Sequence, residues 1–456
     1  MKRYKVRDFS VRICFGLLVC LLISILTRFF TRQILIERFH IDNSFTRLVF
    51  WGNADAAQVA EGQEEDQEEV EIDWQELYPF REEDWNRGKV SEKVETSVAD
   101  RWTEKISGLE EKIEVYTGEL LVGYMQSVEW MNRIEEAVGW DIASYSEYNG
   151  VIELEDGQLT ECRKRVDVTE NVESVAELYN FCEGKGIDFL YVQTPYKISQ
   201  YQDDGISGVL DFSNQNADDL LDGLKRKEIS FLDLRDLTAE REEDYHSLFY
   251  VTDHHWKVET GLWAANVLAE YLNQNYDYNI ELSLLKPEQF CFQNYEDWFL
   301  GSYGKKVTLA RTKPDNFTEI YPQYETEFTY DMPSLGMQEQ GDFKVLYDQD
   351  QIREKDYYGA DPYLAYLYGG GPVIHIHNEQ VEGKKILFIK DSFAISVIPF
   401  LALGVEETDV LDVREFDGSA KAFIEECQPD MVVVFYNPSS IREIDWPSHL
   451  SAFDFR

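Results

Sequence analysis

Two short, continuous apolar segments near the C-terminus most strongly limit the fold that this chain can adopt. Residues 385–389 read KILFI, and residues 430–435 read DMVVVF. Alternate side chains of a strand point to opposite faces, so a run that is apolar throughout predicts a strand buried on both faces. Such strands are typical of parallel sheets covered by helices on both sides. The two segments therefore predict an α/β fold with a mainly parallel sheet.

Strand and helix patterns alternate along the chain from about residue 138 to its end. Apolar residues at three- and four-residue spacing predict helices, and short apolar runs predict strands. The predicted helices span residues 170–184, 218–226 and 261–273, and the further predicted strands span residues 187–193 and 229–234. Residues 290–370 are rich in aromatic residues, glycine and polar turns, and we interpret them as a long insertion with some β character. The α/β domain is thus predicted to span residues 138–456.

The N-terminal segment predicts a connection to a membrane. Residues 13–26 (ICFGLLVCLLISIL) form an uncharged apolar run of 14 residues behind a basic flank. This length is short for a membrane span and suits a signal peptide, but no small-residue cleavage site follows it. We therefore favour an uncleaved signal anchor within residues 1–35 over a cleaved, secreted form. Either interpretation exports the rest of the chain, and the anchor predicts a single-pass membrane protein with an extracytoplasmic C-terminal domain.

Two further segments separate the predicted anchor from the α/β domain. Residues 36–96 include a strongly acidic, polar stretch without core residues, which we interpret as a solvated spacer. Residues 97–137 show apolar residues at helical spacing and predict a long amphipathic helix that packs on the domain or forms a stalk.

Charge excludes one large class of partner. The formal net charge is −44, and residues 1–32 carry a local balance of +6 within that total. So acidic a chain repels nucleic acid and other anionic polymers unless a local basic pocket intervenes. No C-x-x-C pair occurs among the six cysteines, so the sequence predicts no structural zinc site, and we expect no metal or other cofactor.

One segment combines a carboxylate with two of the chain's seven histidines. Thr252-Asp253-His254-His255-Trp256 stands directly before the predicted helix at residues 261–273. An imidazole can act there as a general base, with Asp253 fixing its tautomer and orientation. In an extended segment residues two apart share a face, which selects His255 over His254. Helix capping by Asp253 and metal ligation are the alternatives, although no further ligand stands at a metal-site spacing.

A serine follows the strand predicted at residues 385–389. Ser392 comes after Lys390-Asp391 and ahead of a predicted helix at residues 394–403, which Pro399 is expected to kink. Ligands of open α/β sheets bind at the carboxyl ends of the strands, so Ser392 is a candidate nucleophile. Backbone N–H groups at the start of the helix could stabilise an oxyanion. Capping of that helix by Asp391 or Ser392 explains the same residues without catalysis.

Polar residues also follow two other predicted strands, at residues 193–197 (QTPYK) and 436–438 (YNP). If the strands are parallel, both groups lie at the same edge of the sheet. The alternative is that they are simple strand-ending turns. The candidate substrate contacts are Trp256, Tyr196, Lys197 and Asn437.

These motifs together resemble a known family. Asp253-His254-His255-Trp256 resembles the motif that names the DHHW proteins, which are exported bacterial proteins. The phrases FLGS, IYP and KDSF and an apolar tail are similar to that family as well; they lie at residues 299–302, 320–322, 390–393 and 397–403. At greater distance the chain resembles the periplasmic alginate O-acetyltransferases, in which an Asp-x-His-Trp segment precedes a serine in a strand-end turn.

The resemblance implies a fold and an activity. It implies an SGNH hydrolase-like three-layer α/β/α sandwich with a permuted motif order, and Ser392, His255 and Asp253 as a catalytic triad. The expected activity is O-acetyl transfer to, or removal from, a cell-surface polysaccharide, with a membrane-bound O-acyltransferase as partner that presents the acetyl group. Lys390 departs from the pattern, because a small residue often precedes the nucleophile. The alternative is a non-catalytic carbohydrate-binding or scaffold protein.

Overall fold

The computed structural model describes residues 150–154, 156–200, 211–239, 245–442 and 451–456. All of them belong to one compact unit, Glu129–Arg456. The strands are β1 Ile152–Glu153, β2 Leu159–Thr160, β3 Asp188–Gln193, β4 Phe231–Asp233, β5 Phe290–Phe299, β6 Asp315–Pro322, β7 Phe328–Met332, β8 Met337–Gly341, β9 Val373–Asn378, β10 Lys385–Lys390, β11 Glu407–Leu411 and β12 Met431–Tyr436. The helices are α1 Thr169–Glu183, α2 Ser213–Arg226, α3 Leu234–Ala239, α4 Val258–Tyr276, α5 Ser302–Val307, α6 Gln349–Arg353, α7 Ile398–Leu401 and α8 Ala420–Cys427.

Eight strands form the central sheet, in the order β4-β3-β12-β10-β11-β9-β7-β8. The five strands from β4 to β11 are parallel. Strand β9 runs antiparallel to β11, β7 antiparallel to β9, and β8 antiparallel to β7. The sheet is therefore mixed rather than mainly parallel throughout. Strands β5 and β6 pair only with each other, as an antiparallel ribbon.

The central strands are buried on both faces, as their apolar sequences predict. Leu387 and Val432 contribute to one hydrophobic cluster, which also contains core residues of α1, α2 and α8. Phe388 and Val433 contribute to a second cluster on the other face, with core residues of α4 and α7. Neighbouring residues of one strand belong to different clusters, and each cluster contains helix residues. Helices therefore cover both faces of the sheet. The predicted three-layer α/β/α arrangement is thus observed.

The connections around β10 run in opposite directions along the sheet. From β10 the chain passes through α7 to β11 on one side. From β11 it passes through α8 and returns to β12, on the other side of β10. Such a reversal opens a crevice at the carboxyl ends of the strands, which is where doubly wound sheets bind their ligands. Ser392 lies just beyond this end of β10.

Most of the predicted elements are confirmed, with small shifts of their ends. The helix predicted at residues 394–403 is instead divided into a 3-10 turn at Ser392–Ser396, helix α7 and a second 3-10 turn. Within residues 290–370, β5 and β6 form the separate ribbon, whereas β7 and β8 extend the main sheet. The four cysteines of the described residues are free thiols.

The predicted anchor, acidic spacer and long amphipathic helix fall in residues 1–137, outside the described residues. Within the ranges that the structure describes, no helix combines the length and the apolar character needed to cross a membrane.

Helix α4 and the turn that carries Ser392 approach each other very closely. A Cβ atom on Gly261, in the first turn of α4, would lie 2.3 Å from the carbonyl oxygen of Ser396. We expect Gly261→Ala to lower the free energy of unfolding by about 1–3 kcal/mol, because backbone would have to move. Urea unfolding measures this change. Asn275→Ala, at an exposed position of the same helix, is the matched control and should change the free energy by less than about 0.5 kcal/mol.

Candidate active site

The segment before α4 is a bend rather than an extended strand. Residues 251–255 are bends between Phe249 and Trp256, which pair through an isolated antiparallel bridge. Helix α4 begins at Val258 and is preceded by Lys257, so Asp253 does not cap it. The structure thus argues against the helix-capping interpretation of Asp253.

Asp253, His255 and Ser392 form one continuous chain of hydrogen bonds. His255 Nδ1 lies 2.5 Å from Asp253 Oδ1. On the other side of the ring, His255 Nε2 lies 2.7 Å from Ser392 Oγ. The ring itself stacks on Tyr363, with centroids 4.0 Å apart. Both imidazole nitrogens are therefore occupied, and the ring orientation is fixed from the side.

The carboxylate of Asp253 is buried and fully hydrogen-bonded. Its Oδ1 also accepts from the backbone N–H of His255 at 3.0 Å, and its Oδ2 accepts from the N–H of Ser302 at 2.6 Å. Burial alone would raise the pKa of Asp253, but the two neighbouring histidines and these hydrogen bonds hold it well below its ordinary value. Gly301 leaves room for this side chain, since a Cβ there would lie 2.2 Å from Asp253 Cβ.

Two buried charged residues hold the bend that carries Asp253. The ammonium group of Lys197 donates to the carbonyl oxygens of Tyr250, Val251 and Asp253, at 2.5, 2.9 and 2.8 Å. Burial lowers the pKa of Lys197 to about 7. The carboxylate of Asp315 accepts from the backbone N–H groups of Val251 and Thr252, at 2.7 and 2.8 Å. Lys197 thus supplies hydrogen bonds to the carbonyl groups of the bend, and Asp315 accepts hydrogen bonds from its amides.

Asp391 organises the turn at Ser392. One carboxylate oxygen accepts from the N–H of Phe393 at 3.0 Å and caps the 3-10 turn, as the capping interpretation predicts. The other accepts from the N–H of Asn437 at 2.6 Å and from the Ser440 hydroxyl at 2.7 Å. The ends of β10 and β12 are therefore joined through one buried carboxylate.

The backbone around the candidate nucleophile is held from the opposite side by aromatic residues. The Tyr363 hydroxyl donates to the Ser392 carbonyl at 3.0 Å, and Trp256 Nε1 donates to the Phe393 carbonyl at 3.1 Å. The N–H of Ser392 has no acceptor among the described residues. It is therefore a donor that an oxyanion formed at Ser392 could use.

The prediction that His254 faces away from this site is wrong. The rings of His254 and His255 lie 3.7 Å apart, and His254 Nδ1 is 3.0 Å from the Ser302 hydroxyl. Side chains alternate only in an extended chain, and this segment bends. Desolvation and the neighbouring His255 lower the pKa of His254, whereas the negative charge of Asp253 raises it. The choice of His255 as the partner of Asp253 and Ser392 agrees with the geometry.

The four predicted substrate contacts lie inside the domain. Trp256, Tyr196, Lys197 and Asn437 are each at most 2% exposed, and none lines the cavity beside Ser392. Asn437 Nδ2 donates to Thr194 and to Pro195, so the polar ends of β3 and β12 meet at one edge as predicted. This placement supports a role in positioning the site for these residues and does not bring them to a ligand.

Lys390 also points away from the cavity. Its ammonium group is buried and lies 2.9 Å from Asp412. Gly370 makes room for it, because a Cβ there would lie 2.6 Å from Lys390 Nζ, and the φ of Gly370 is +79°. The large residue ahead of Ser392 therefore occupies the interior and leaves the approach to the serine open.

A cavity of about 490 Å³ opens at Ser392 and His254. Several cationic residues line it that the sequence analysis missed, namely Arg163, Lys306, Arg414 and Arg442. Arg414 could have been identified as a cavity residue, because it follows the end of strand β11 at Leu411. The others come from turns and from a helix whose positions depend on the tertiary structure. The volume falls within the range of small-molecule sites.

Metal ligation is the other chemistry that this cluster could support. Asp253, His254 and His255 place three potential ligand atoms within 4.8 Å of one another. His255, however, uses both ring nitrogens in hydrogen bonds to Asp253 and Ser392. A metal ion would have to break at least one of those bonds. The donor set fits the hydrogen-bonded arrangement better than a metal centre.

Residues 155–337 match the family model described as the SGNH hydrolase-like domain of acetyltransferase AlgX. The described residues form an SGNH hydrolase-like α/β domain. The predicted resemblance to the alginate O-acetyltransferases is thereby confirmed. The matched segment includes Asp253 and His255 and ends before Ser392.

Solved structures show the same fold. Bacillus cereus PatB1, solved with a sulfonyl adduct, is 17% identical with a TM-score of 0.54, and the similarity covers 67% of this chain and 98% of that chain. A DHHW family protein from Eubacterium siraeum is 18% identical with a TM-score of 0.50, covering 65% of this chain and 92% of that one. No curated protein matches the sequence significantly.

The role of Lys197 in holding the bend at Asp253 can be tested by measuring stability. We expect Lys197→Met to lower the free energy of unfolding by about 2 kcal/mol or more, because three buried carbonyl groups lose their donor. Chemical denaturation measures the change. Lys225→Met, at an exposed position of α2, is the control and should be nearly neutral. An equally small change for Lys197→Met would contradict the assigned role.

The carboxyl group of Asp361 makes the free energy of unfolding depend on pH. Burial, and then the negative charge of Asp253, raise the pKa of Asp361 to about 6. Between about pH 4 and pH 6 the folded protein retains a proton that the unfolded chain releases, so stability falls as the pH rises through this window.

We therefore expect Asp361→Asn to be more stable than the unmodified protein at pH 8, by about 1–3 kcal/mol. The difference should disappear near pH 4, where the carboxyl group is protonated in both states. Denaturation at the two pH values measures it. Asp222→Asn, at an exposed position, should show no such dependence, and an equal effect of Asp361→Asn at both pH values would refute the assignment.

Proposed function

We propose that this chain is an exported, membrane-anchored O-acetyltransferase or esterase that acts on a cell-surface polysaccharide through Ser392, His255 and Asp253. The observation that carries the proposal is the 2.7 Å contact between His255 Nε2 and Ser392 Oγ, continued by the contact from His255 Nδ1 to Asp253. A hydroxyl beside an imidazole that a carboxylate orients is the arrangement that activates a serine nucleophile. The acetyltransferase description of the matching family model supports the same reaction class.

The first half-reaction forms an acetyl ester on Ser392. The serine oxygen attacks the acetyl carbonyl while its proton passes to His255 Nε2. The buried carboxylate of Asp253 stabilises the resulting imidazolium, and the free N–H of Ser392 stabilises the negative oxygen of the tetrahedral intermediate. The donor's C–O bond then breaks, and the departing oxygen takes the proton from His255.

The second half-reaction regenerates the enzyme. A sugar hydroxyl, or water in an esterase, attacks the acetyl ester on Ser392 and gives its proton to His255. Collapse of the intermediate returns that proton to the serine oxygen and releases the acetylated sugar or acetate. The same three residues thus act in both half-reactions. Attack by a sugar hydroxyl gives transfer, and attack by water gives hydrolysis.

The wider setting of this activity is also part of the proposal. The apolar run at residues 13–26 and its basic flank support membrane anchoring with the domain outside the cytoplasm. Acetyl-CoA is absent there, so a membrane-bound O-acyltransferase would present the acetyl group. The order of Asp253 and His255 before Ser392 supports a permuted arrangement relative to ordinary SGNH enzymes.

Replacing the nucleophile tests the reaction. We expect Ser392→Ala in the full-length chain to lower the rate of 4-nitrophenyl acetate hydrolysis by at least about 1,000-fold, because no other hydroxyl contacts His255 Nε2 among the described residues. His255→Ala should cause a similar loss. A serine-directed sulfonyl fluoride should modify Ser392, as mass spectrometry of the digested protein will show.

Ser283→Ala is the matched control, since that hydroxyl is exposed and bonds only to Glu281. Unchanged hydrolysis in Ser392→Ala would rule out the triad. Retained polysaccharide binding in such a protein would favour the non-catalytic alternative. Acetyl content of the cell-surface polysaccharide in cells that carry Ser392→Ala extends the test to the natural substrate.

A further inference from the structure

The cavity beside Ser392 has a basic lining, although the chain as a whole carries a net charge of −44. Its lining includes four cationic residues and two carboxylates, Glu161 and Asp391. A neutral sugar needs no such excess of positive charge. The local balance therefore points to a ligand with negative charge.

The two carboxylates offset only part of the positive charge of the four cationic residues. Asp391 is 2% exposed, and its oxygens accept from Phe393, Asn437 and Ser440. Glu161 pairs with Arg163 alone. Four cationic side chains thus face two carboxylates, and the lining keeps an excess of positive charge.

Arg414 and Lys390 pair with the same carboxylate, that of Asp412. Asp412 accepts from Arg414 Nε at 2.8 Å and from a terminal nitrogen of the same guanidinium at 2.6 Å. It also accepts from the buried ammonium of Lys390 at 2.9 Å. One negative charge therefore serves two positive charges, and the Arg414 side chain remains 33% exposed toward the cavity.

Arg442 has no carboxylate partner among the described residues. Its Nε donates to the Ser439 carbonyl at 3.2 Å, and its terminal nitrogens make no bond within those residues. Arg442, Arg163 and Arg414 line the same cavity. Partial burial of Arg442 and the positive charges of Arg163 and Arg414 lower the pKa of Arg442, whereas the charge of Glu161 raises it, so the guanidinium groups repel one another. Arg163 Nε is buried without an acceptor. This repulsion is a cost that a bound anion would remove.

We propose that the cavity binds a carboxylate or phosphate group of the sugar whose hydroxyl is acylated, and that Arg442, Arg414 and Arg163 determine this specificity. Guanidinium groups recognise both anions through paired N–H donors in a fixed geometry. The cavity contains Ser392 and the arginines together, so a bound anion holds a neighbouring hydroxyl near the nucleophile. The inference rests on the proposed function for the reaction, whereas the anion site stands on the lining itself.

The binding step can be measured without the chemistry. The full-length Ser392→Ala protein is titrated by calorimetry at low ionic strength with trigalacturonate, with maltotriose carrying a phosphate monoester, and with unmodified maltotriose. We expect at least one acidic probe to bind tenfold or more tightly than maltotriose. Preference for trigalacturonate assigns a carboxylate, and preference for the phosphorylated probe assigns a phosphate.

Arginine variants in the same Ser392→Ala background identify the residues responsible. Arg442→Gln should weaken binding of the preferred acidic probe at least tenfold and leave binding of maltotriose unchanged. Arg226→Gln, at an exposed position of α2, is the matched control and should have no effect. Thermal unfolding of each variant shows that the domain remains folded.

Equal affinity for acidic and neutral probes would overturn the proposal, as would unaltered binding in Arg442→Gln. Its failure is distinguishable from failure of the proposed function. If Ser392→Ala retains ester hydrolysis while the acidic probes bind, the reaction is wrong and the anion site stands. If hydrolysis requires Ser392 while the acidic probes do not bind preferentially, the reaction stands and the anion site is wrong.

Discussion

The bend before α4 depends on two buried charges that face its backbone from opposite sides. Lys197 binds three carbonyl oxygens, and Asp315 binds two amide groups of the same turn. Each charge satisfies groups that would otherwise be buried without partners, which is why irregular backbone is tolerated inside the domain. With the bend fixed, Asp253 lies under His255 and the imidazole reaches Ser392. The geometry of the site thus originates in residues that contact no ligand.

Part of this organisation could be predicted from the sequence because it depends on local patterns. Continuous apolar runs identified β10 and β12, and helical spacing identified α1 and α4. The carboxyl-end rule for parallel strands placed Ser392 and Asn437 at one edge, where Asp391 joins them. These predictions hold because the period of side-chain burial is fixed by strand and helix geometry.

The remainder depends on tertiary contacts that no local pattern encodes. Alternation failed for His254 because the bend is imposed by Lys197 and Asp315, which lie 56 residues before and 63 residues after the groups they bind. Trp256 was predicted to contact substrate because it follows His255, and Tyr196 because it follows a predicted strand, yet both are core residues. The basic cavity escaped prediction because its arginines come from separate segments of a strongly acidic chain. Membrane anchoring remains a prediction from residues 1–35.

The distance along the chain between the parts of the site has a consequence for the order of folding. His255 and Ser392 are 137 residues apart, and their contact requires β10 to pair with β12, which is formed near the end of the chain. Contacts between distant residues form late, since closing a long loop costs entropy before the pairing compensates for it. A partly assembled domain can hold Asp253 beside His255 and still lack a nucleophile. The contact between His255 and Ser392 and the completed sheet of the described residues therefore form together, and a nascent chain would gain the proposed activity only after β12 has been synthesised.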